Sequence, residues 1–200
     1  MTPTDKMLNV AEMFYSLQGE GARQGEPSLF VRLQGCDLEC GFCDTEFESG
    51  KPMSIPELYL KLKQLSPDCE WIVWTGGEPT LQLSPEIVNW FKEQGFKQAI
   101  ESNGNHAVPP GLDWVVVSPK VAEHVLERNF PDGVDELRYV RHAGQPGVPE
   151  PKINAKTYFL SPLSDGNRLN KENVSHTINL CLANPQWRLS IQMHKLWRIL

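Results

Sequence analysis

Five runs along this chain stop abruptly in small and polar residues. Trp71-Ile-Val-Trp74 ends in Thr75-Gly-Gly-Glu78, Gln98–Glu101 in Ser102-Asn-Gly104, and Trp114–Val117 in Ser118-Pro-Lys120. Thr157–Leu160 ends in Ser161-Pro-Leu-Ser164, and the last run, Arg188–Met193, in Gln192-Met-His-Lys195. Several of these runs are too apolar to keep a wet face, and helical patterns separate them. Ser54-Ile-Pro-Glu57 has the spacing of a capping box and opens a helix to about Leu65, with Leu58, Leu62 and Leu65 on one side. Ser84-Pro-Glu86 opens a second helix that turns Ile87, Val88 and Phe91 to the core and stops at Gly95; Asn170–Ala183 reads as a third. Further strands are expected at Leu8–Leu17, Ser28–Gln34 and around Glu136–Val140. Strand and helix in alternation call for a parallel sheet covered by helices. Ligand-binding groups collect at the carboxyl ends of such strands. Eight full βα units take about 250 residues, so 200 residues predict an α/β fold of the incomplete, partial TIM-like barrel type.

The strongest chemical signal lies just after the run Leu29–Leu33. Cys36, Cys40 and Cys43 are spaced C-x3-C-x2-C in the loop Gly35-Cys-Asp-Leu-Glu-Cys-Gly-Phe-Cys-Asp-Thr45. Soft thiolates this close suit an iron–sulfur cluster or zinc. Structural zinc wants four ligands, usually as two pairs, and no second C-x-x-C follows. Three ligands suit a cubane cluster with one iron left for a group other than protein. Cys69 and Cys181 stand alone and read as buried thiols.

Length and composition limit the rest. Two hundred residues make one good-sized core, so a single domain over 1–200 is expected. A net charge of -6 without a Lys/Arg run argues against nucleic acid as a partner. No apolar run approaches the roughly 18 residues of a membrane span, and the start lacks the form of a signal peptide. Clustered cysteines point to a metal site in a reducing compartment, hence the cytoplasm. Two loci add candidate contacts. Gln18-Gly-Glu-Gly21 is a loop in which glycines flank a carboxylate, and a flexible turn is the plain reading. Arg32 shares a strand face with Phe30, where its guanidinium grips either a substrate carboxylate or a structural one.

Taken together and in order, these motifs resemble the 7-carboxy-7-deazaguanine synthases of the radical S-adenosylmethionine (SAM) enzymes. The residues that carry the resemblance are Ser16-Leu-Gln-Gly-Glu-Gly21, Phe30-Val-Arg-Leu-Gln-Gly-Cys36 and Cys40-Gly-Phe-Cys-Asp-Thr45. Downstream they are Thr75-Gly-Gly-Glu-Pro79, Glu101-Ser-Asn-Gly104, Val117-Ser-Pro-Lys120 and Trp187-Arg-Leu-Ser-Ile-Gln-Met-His-Lys195. The resemblance implies a radical SAM core and a lyase of queuosine biosynthesis. Such an enzyme contracts 6-carboxy-5,6,7,8-tetrahydropterin to 7-carboxy-7-deazaguanine with loss of ammonia.

It also implies a cofactor set and a division of roles. A [4Fe-4S] cluster on Cys36, Cys40 and Cys43 reduces SAM, the resulting 5'-deoxyadenosyl radical takes a hydrogen from the substrate, and SAM is reformed. Mg2+ would be held by Thr45. SAM would lie against Phe42, Cys43, Asp44, Gly77, Glu78, Ser102, Ser118, Pro119, Lys120 and Ser161. Leu17, Gln18 and Gly19 would meet the pterin edge, Thr75 would hydrogen-bond it and Arg32 would take its carboxylate, with Glu20 and His194 as further candidates. A flavodoxin- or ferredoxin-type electron donor and a homodimer are implied as well. Asp37-Leu-Glu39 is more acidic than the family's usual insert, and carboxylates there act to lower a cluster's potential. The tail Leu196–Leu200 matches nothing in the family pattern. Two other readings compete: another small radical SAM enzyme such as a glycyl-radical-enzyme activase, and a cluster carrier without catalysis. The small anionic substrate that Arg32 and the Gln18 loop suit argues against the former, and the polar strand tails against the latter.

Overall fold

A computed structural model describes residues 3–43 and 48–200. The chain packs as two compact units. The first comprises Met1–Ser16, Pro27–Ser102 and His106–Val115, and the second comprises Leu17–Glu26, Asn103–Asn105 and Val116–Leu200.

In the first unit, strands β1 (Met7–Leu17), β2 (Pro27–Leu33), β3 (Lys51–Ser54), β4 (Trp71–Gly76) and β5 (Lys97–Ser102) lie in the order β3-β1-β2-β4-β5. β3 runs antiparallel to β1, whereas β2, β4 and β5 are parallel. The run Ile72-Val73-Trp74 has no exposed surface, as a central parallel strand requires. Helices α1 (Ile55–Leu65) and α2 (Pro85–Glu93) belong to this unit. Ser54 caps α1 by accepting the Glu57 amide at 3.3 Å, the first half of the expected capping box. The buried row is Ile55, Leu58 and Leu62; Leu65, expected beside them, is 41% exposed. α2 buries Ile87, Val88 and Phe91 as expected, and Phe91 meets Trp74 edge-on at 5.3 Å. Each such buried side chain contributes about 1.5–3 kcal/mol. Ser84 precedes α2 but does not cap it through its side chain; its hydroxyl accepts from Lys6 Nζ at 2.8 Å. Polar groups in this core are satisfied: the Trp74 indole donates to Gln98, whose amide donates to the Val88 carbonyl.

In the second unit, β6 (Trp114–Val117, whose last two residues belong here), β7 (Val134–Arg141), β8 (Ala155–Pro162) and β9 (Trp187–Leu189) run parallel in that order. Helices α3 (Glu123–Asn129), α4 (Lys171–Ala183) and α5 (Met193–Trp197) connect or follow them. Asn170 caps α4 by accepting the Asn173 amide at 3.0 Å. Neither set of strands closes on itself, so each unit carries the open, mainly parallel α/β design expected.

Two expected boundaries move. The final strand ends at Leu189 instead of Met193: the Ser190 amide makes the last bond of the ladder, to the Leu160 carbonyl, and the Met193 amide turns away to Gly19. The chain then coils into α5. β3 has no counterpart in the sequence reading; it is a four-residue edge strand containing Pro52, where the alternation of a longer strand is missing. Cys69 is buried, as expected of a lone thiol, and Cys181 is half-buried, with burial pushing its thiol above the ordinary value. Among the described residues no helix is long and apolar enough to cross a membrane.

Candidate functional site

The expected contact residues fall in two groups, one in each unit. Asp44 and Thr45 lie outside the described residues.

In the first unit, β2 delivers the chain to the cysteine loop. Gln34 ties the start of that loop to its end by donating to the Glu48 carbonyl at 2.5 Å, and the Cys43 amide turns back on the Cys40 carbonyl at 2.9 Å. None of the three thiols is joined in a disulfide; Cys36 and Cys40 are half-buried and Cys43 is exposed, beside an exposed Phe42. Among the described residues, no three His, Cys, Asp or Glu side chains stand gathered as a finished metal cage. The donor set still fits a cluster: three soft, unoxidised sulfurs on one short loop, reachable from outside.

The tail of β4 locks onto this loop through its backbone. The Gly77 amide donates to the Leu33 carbonyl at 3.0 Å and the Glu78 amide to the Gly35 carbonyl at 2.8 Å. A Cβ at position 77 would overlap the Gly35 carbonyl, so only glycine permits the approach. The close contact made by Gly77 is therefore with the cysteine loop itself. Glu78 is fully buried, and its Oε1 accepts from the Thr80 amide (3.1 Å), the Thr80 hydroxyl (2.7 Å) and the Ser102 hydroxyl (3.1 Å). This joins the tails of β4 and β5. Arg32 and Thr75 are register partners on β2 and β4, on the sheet face that carries Phe30 and Val73. The Arg32 guanidinium lies 5.9 Å from the Phe14 ring centre, and Phe14 stacks on Phe30 at 4.9 Å. Arg32 Nε donates to Glu12 at 3.1 Å, so the structural carboxylate weighed in the sequence is present, and the bond uses one of five guanidinium N–H groups. His106, 2.7 Å from the Asp37 carboxylate, is a contact on the cysteine loop that no local pattern announces.

In the second unit, the Gln18–Gly21 loop is pinned, not flexible. Across it, the Gln18 amide donates to the Glu26 carbonyl at 2.9 Å and the Gln18 carbonyl accepts the Gly25 amide at 2.8 Å. Leu17 is partly exposed and Gln18 buried. His194 packs its ring against Gly19, where a Cβ would overlap it, and the Met193 amide donates to the Gly19 carbonyl. The structure thus brings His194 to the loop with which the sequence grouped it. Glu20 accepts from Arg138 Nη1 at 3.2 Å, and the Ser161 hydroxyl lies 3.4 Å from the same carboxylate oxygen. The one proton of that hydroxyl goes to the nearer Ser190 carbonyl at 2.9 Å, so Ser161, expected beside SAM, is 5% exposed and bound internally. At the tail of β6, Lys120 Nζ folds back onto the Ser118 carbonyl (2.9 Å) and hydroxyl (2.7 Å), with Pro119 half-buried between them. The sequence reading missed Glu136, Arg138 and Ser190. A Glu-x-Arg pair inside a strand was the available signal, since alternation puts both on one face.

No protein-family model matches the chain. The chain is similar to proteins named 7-carboxy-7-deazaguanine synthase. One from Haemophilus influenzae is 38% identical, with 94% of this chain and 92% of that protein covered. One from Bacteroides thetaiotaomicron is 35% identical, over 95% and 97%. Among solved structures, the chain resembles the crystal structure of QueE from Escherichia coli, with a TM-score of 0.72 at 25% identity over 93% of this chain and 94% of that one.

Proposed function

Because this chain belongs to the 7-carboxy-7-deazaguanine synthase family, we propose that it is a radical SAM lyase that converts 6-carboxy-5,6,7,8-tetrahydropterin to 7-carboxy-7-deazaguanine with loss of ammonia. The observation that carries this reading is the backbone lock between Gly77-Glu78 and Leu33-Gly35. It joins the two motifs that such chemistry needs, a three-thiol loop and a Gly-Gly-Glu strand tail.

Cys36, Cys40 and Cys43 hold the [4Fe-4S] cluster. Once bound, the cluster and SAM would supply the one-electron chemistry that removes a hydrogen atom from the substrate, with SAM serving as a cofactor. The protein's own share is binding, orientation and exclusion of water. Phe42, Cys43, Asp44, Gly77 and Glu78 border the methionine end of SAM. Since the Glu78 carboxylate is buried against Thr80 and Ser102, its first task is to hold that tail in shape. Ser102, Ser118, Pro119, Lys120 and Ser161 line the rest of SAM, with Lys120 supplying positive charge. Leu17, Gln18, Gly19 and Glu20 read the pterin edge, and Thr75 and His194 add contacts. Arg32 takes the pterin carboxylate, its side chain steadied from behind by Glu12 and Phe14. Thr45 supplies an oxygen to Mg2+, a hard cation that keeps most of its waters. Five cysteines outside any disulfide, three of them clustered, favour a reducing, cytoplasmic setting, with a flavodoxin- or ferredoxin-type donor and a homodimeric enzyme completing the reading.

The test is anaerobic reconstitution with iron and sulfide, followed by SAM, Mg2+, reductant and the carboxytetrahydropterin. The expected product by mass spectrometry is 7-carboxy-7-deazaguanine. SAM cleaved while the pterin stays intact would move the chain to another radical SAM reaction.

A further inference from the structure

The two glycines that flank Glu20 are each required by a side chain that presses against the loop. At Gly19 it is the His194 ring; at Gly21, with φ +72°, a Cβ would overlap Glu136 and Arg138. Glu136 and Arg138 alternate on β7 and therefore face the same way. Both are withdrawn from water: Glu136 is 1% exposed and Arg138 6%. Arg138 divides its fork between two carboxylates, Nη1 to Glu20 at 3.2 Å and Nη2 to Glu136 at 3.3 Å. Glu136 in turn accepts the Ala22 amide through its other oxygen at 3.1 Å, while Ser190 accepts the Gly21 amide at 3.0 Å. Each backbone amide just after Glu20 is thus held by a side chain distant in sequence. The carboxylate of Glu20 is held by Arg138 through Oε2, and Oε1 has no partner among the described residues, which leaves it to a ligand.

We propose that Arg138, anchored by Glu136, is a positioning residue for pterin recognition: it fixes the rotamer of Glu20 so that one carboxylate oxygen faces the substrate. The argument rests on the reading of Glu20 as a pterin contact. A carboxylate on a loop has three rotatable side-chain bonds, and a charged, two-point partner removes that freedom before the ligand arrives. Lysine keeps the charge but cannot bridge two carboxylates with a planar fork. Arg138 does not touch the substrate; it acts through Glu20.

The test is a double-mutant cycle on the reconstituted holoenzyme, read as the dissociation constant of 6-carboxytetrahydropterin by anaerobic equilibrium dialysis in the presence of SAM. Glu20→Gln and Arg138→Lys are each expected to weaken pterin binding on the order of tenfold, the usual scale for loss of a residue that orients a binding group. The double variant is expected to bind no more weakly than Glu20→Gln alone, because Arg138 has nothing left to orient. SAM affinity guards against a general loss of structure and is expected to hold in Arg138→Lys, which keeps the buried charge and so is expected to melt in one cooperative step, at a midpoint lowered less than that of Arg138→Met. Native pterin affinity in Arg138→Lys, with Glu20→Gln impaired, would overturn the positioning role and leave the Glu20 contact standing. Losses that multiply in the double variant, or a matching loss of SAM affinity, would overturn it too. Native affinity in Glu20→Gln would instead remove the Glu20 contact on which the proposal rests. Should Arg138→Lys fail to fold, Glu136→Gln serves in its place: it loosens Arg138, retains the acceptor for Ala22, and is expected to show the same non-additivity with Glu20→Gln.

Discussion

The two units hold their candidate residues by different physical means. In the first, the cysteine loop and the Gly-Gly-Glu tail meet backbone to backbone, and the contact exists because position 77 has no side chain. In the second, the Gln18–Gly21 loop is held by side chains, above all a buried arginine between two carboxylates. A backbone lock is short, rigid and intolerant of added atoms. A charged side-chain network is intolerant of lost atoms, because any carboxylate left without its partner stays buried. The first suits the role proposed for the cysteine loop, the presentation of three sulfurs to an inorganic group. The second suits the role proposed for Glu20, the presentation of one carboxylate to an organic ligand.

The contrast can be broken or sharpened by substitution. The largest effect on activity is expected from Cys40→Ser, which should abolish iron binding and turnover while leaving the urea midpoint near that of the native apoprotein. A large fall in stability would mean that the thiol is structural. The largest effect on stability is expected from Arg138→Met, at about 3–5 kcal/mol in urea unfolding, since Glu136 then lies buried without its charge partner. Gly77→Ala adds one methyl group against a carbonyl oxygen that cannot move aside. It is expected to cost about 1–3 kcal/mol and to lower the iron content after reconstitution, whereas Arg138→Met should leave iron loading intact. If both variants lose iron equally, the division of labour between the units fails. Arg32→Ala should leave SAM cleavage intact and weaken pterin binding by about 1.5–3 kcal/mol, the range for a hydrogen bond to a charged group. The smallest effect concerns Glu86, whose carboxyl is lowered to about 2 by hydrogen bonds from Lys6 and then Ser84. A depressed carboxylate contributes stability that is present above the unfolded value of 4.5 and lost as the pH falls toward 2. The pair is exposed, so Glu86→Gln should flatten the acid limb of the stability profile only slightly.

Much of this was legible in the sequence, and where it was not the reason is distance along the chain. The strand tails, the Ser54 cap, the core face of α2 and the cysteine spacing are local patterns, and local patterns report periodicity and turns. Gln18-Gly-Glu-Gly21 reads locally as a flexible turn. Only the structure supplies Arg138, 118 residues away, and with it the reason for the second glycine. The same holds for the Gly77–Gly35 approach, whose partners follow the ends of different strands. The final strand was overextended because Arg188–Met193 has strand composition, while the Met193 amide leaves the ladder for Gly19, a partner that no local window contains.

The most direct measurement of the central claim is the ratio of 7-carboxy-7-deazaguanine formed to SAM consumed, followed over many turnovers under strict anaerobiosis. Product in large excess over SAM lost, with little 5'-deoxyadenosine released, is the predicted result. One SAM cleaved for each product, or 5'-deoxyadenosine accumulating beside unchanged pterin, would contradict it.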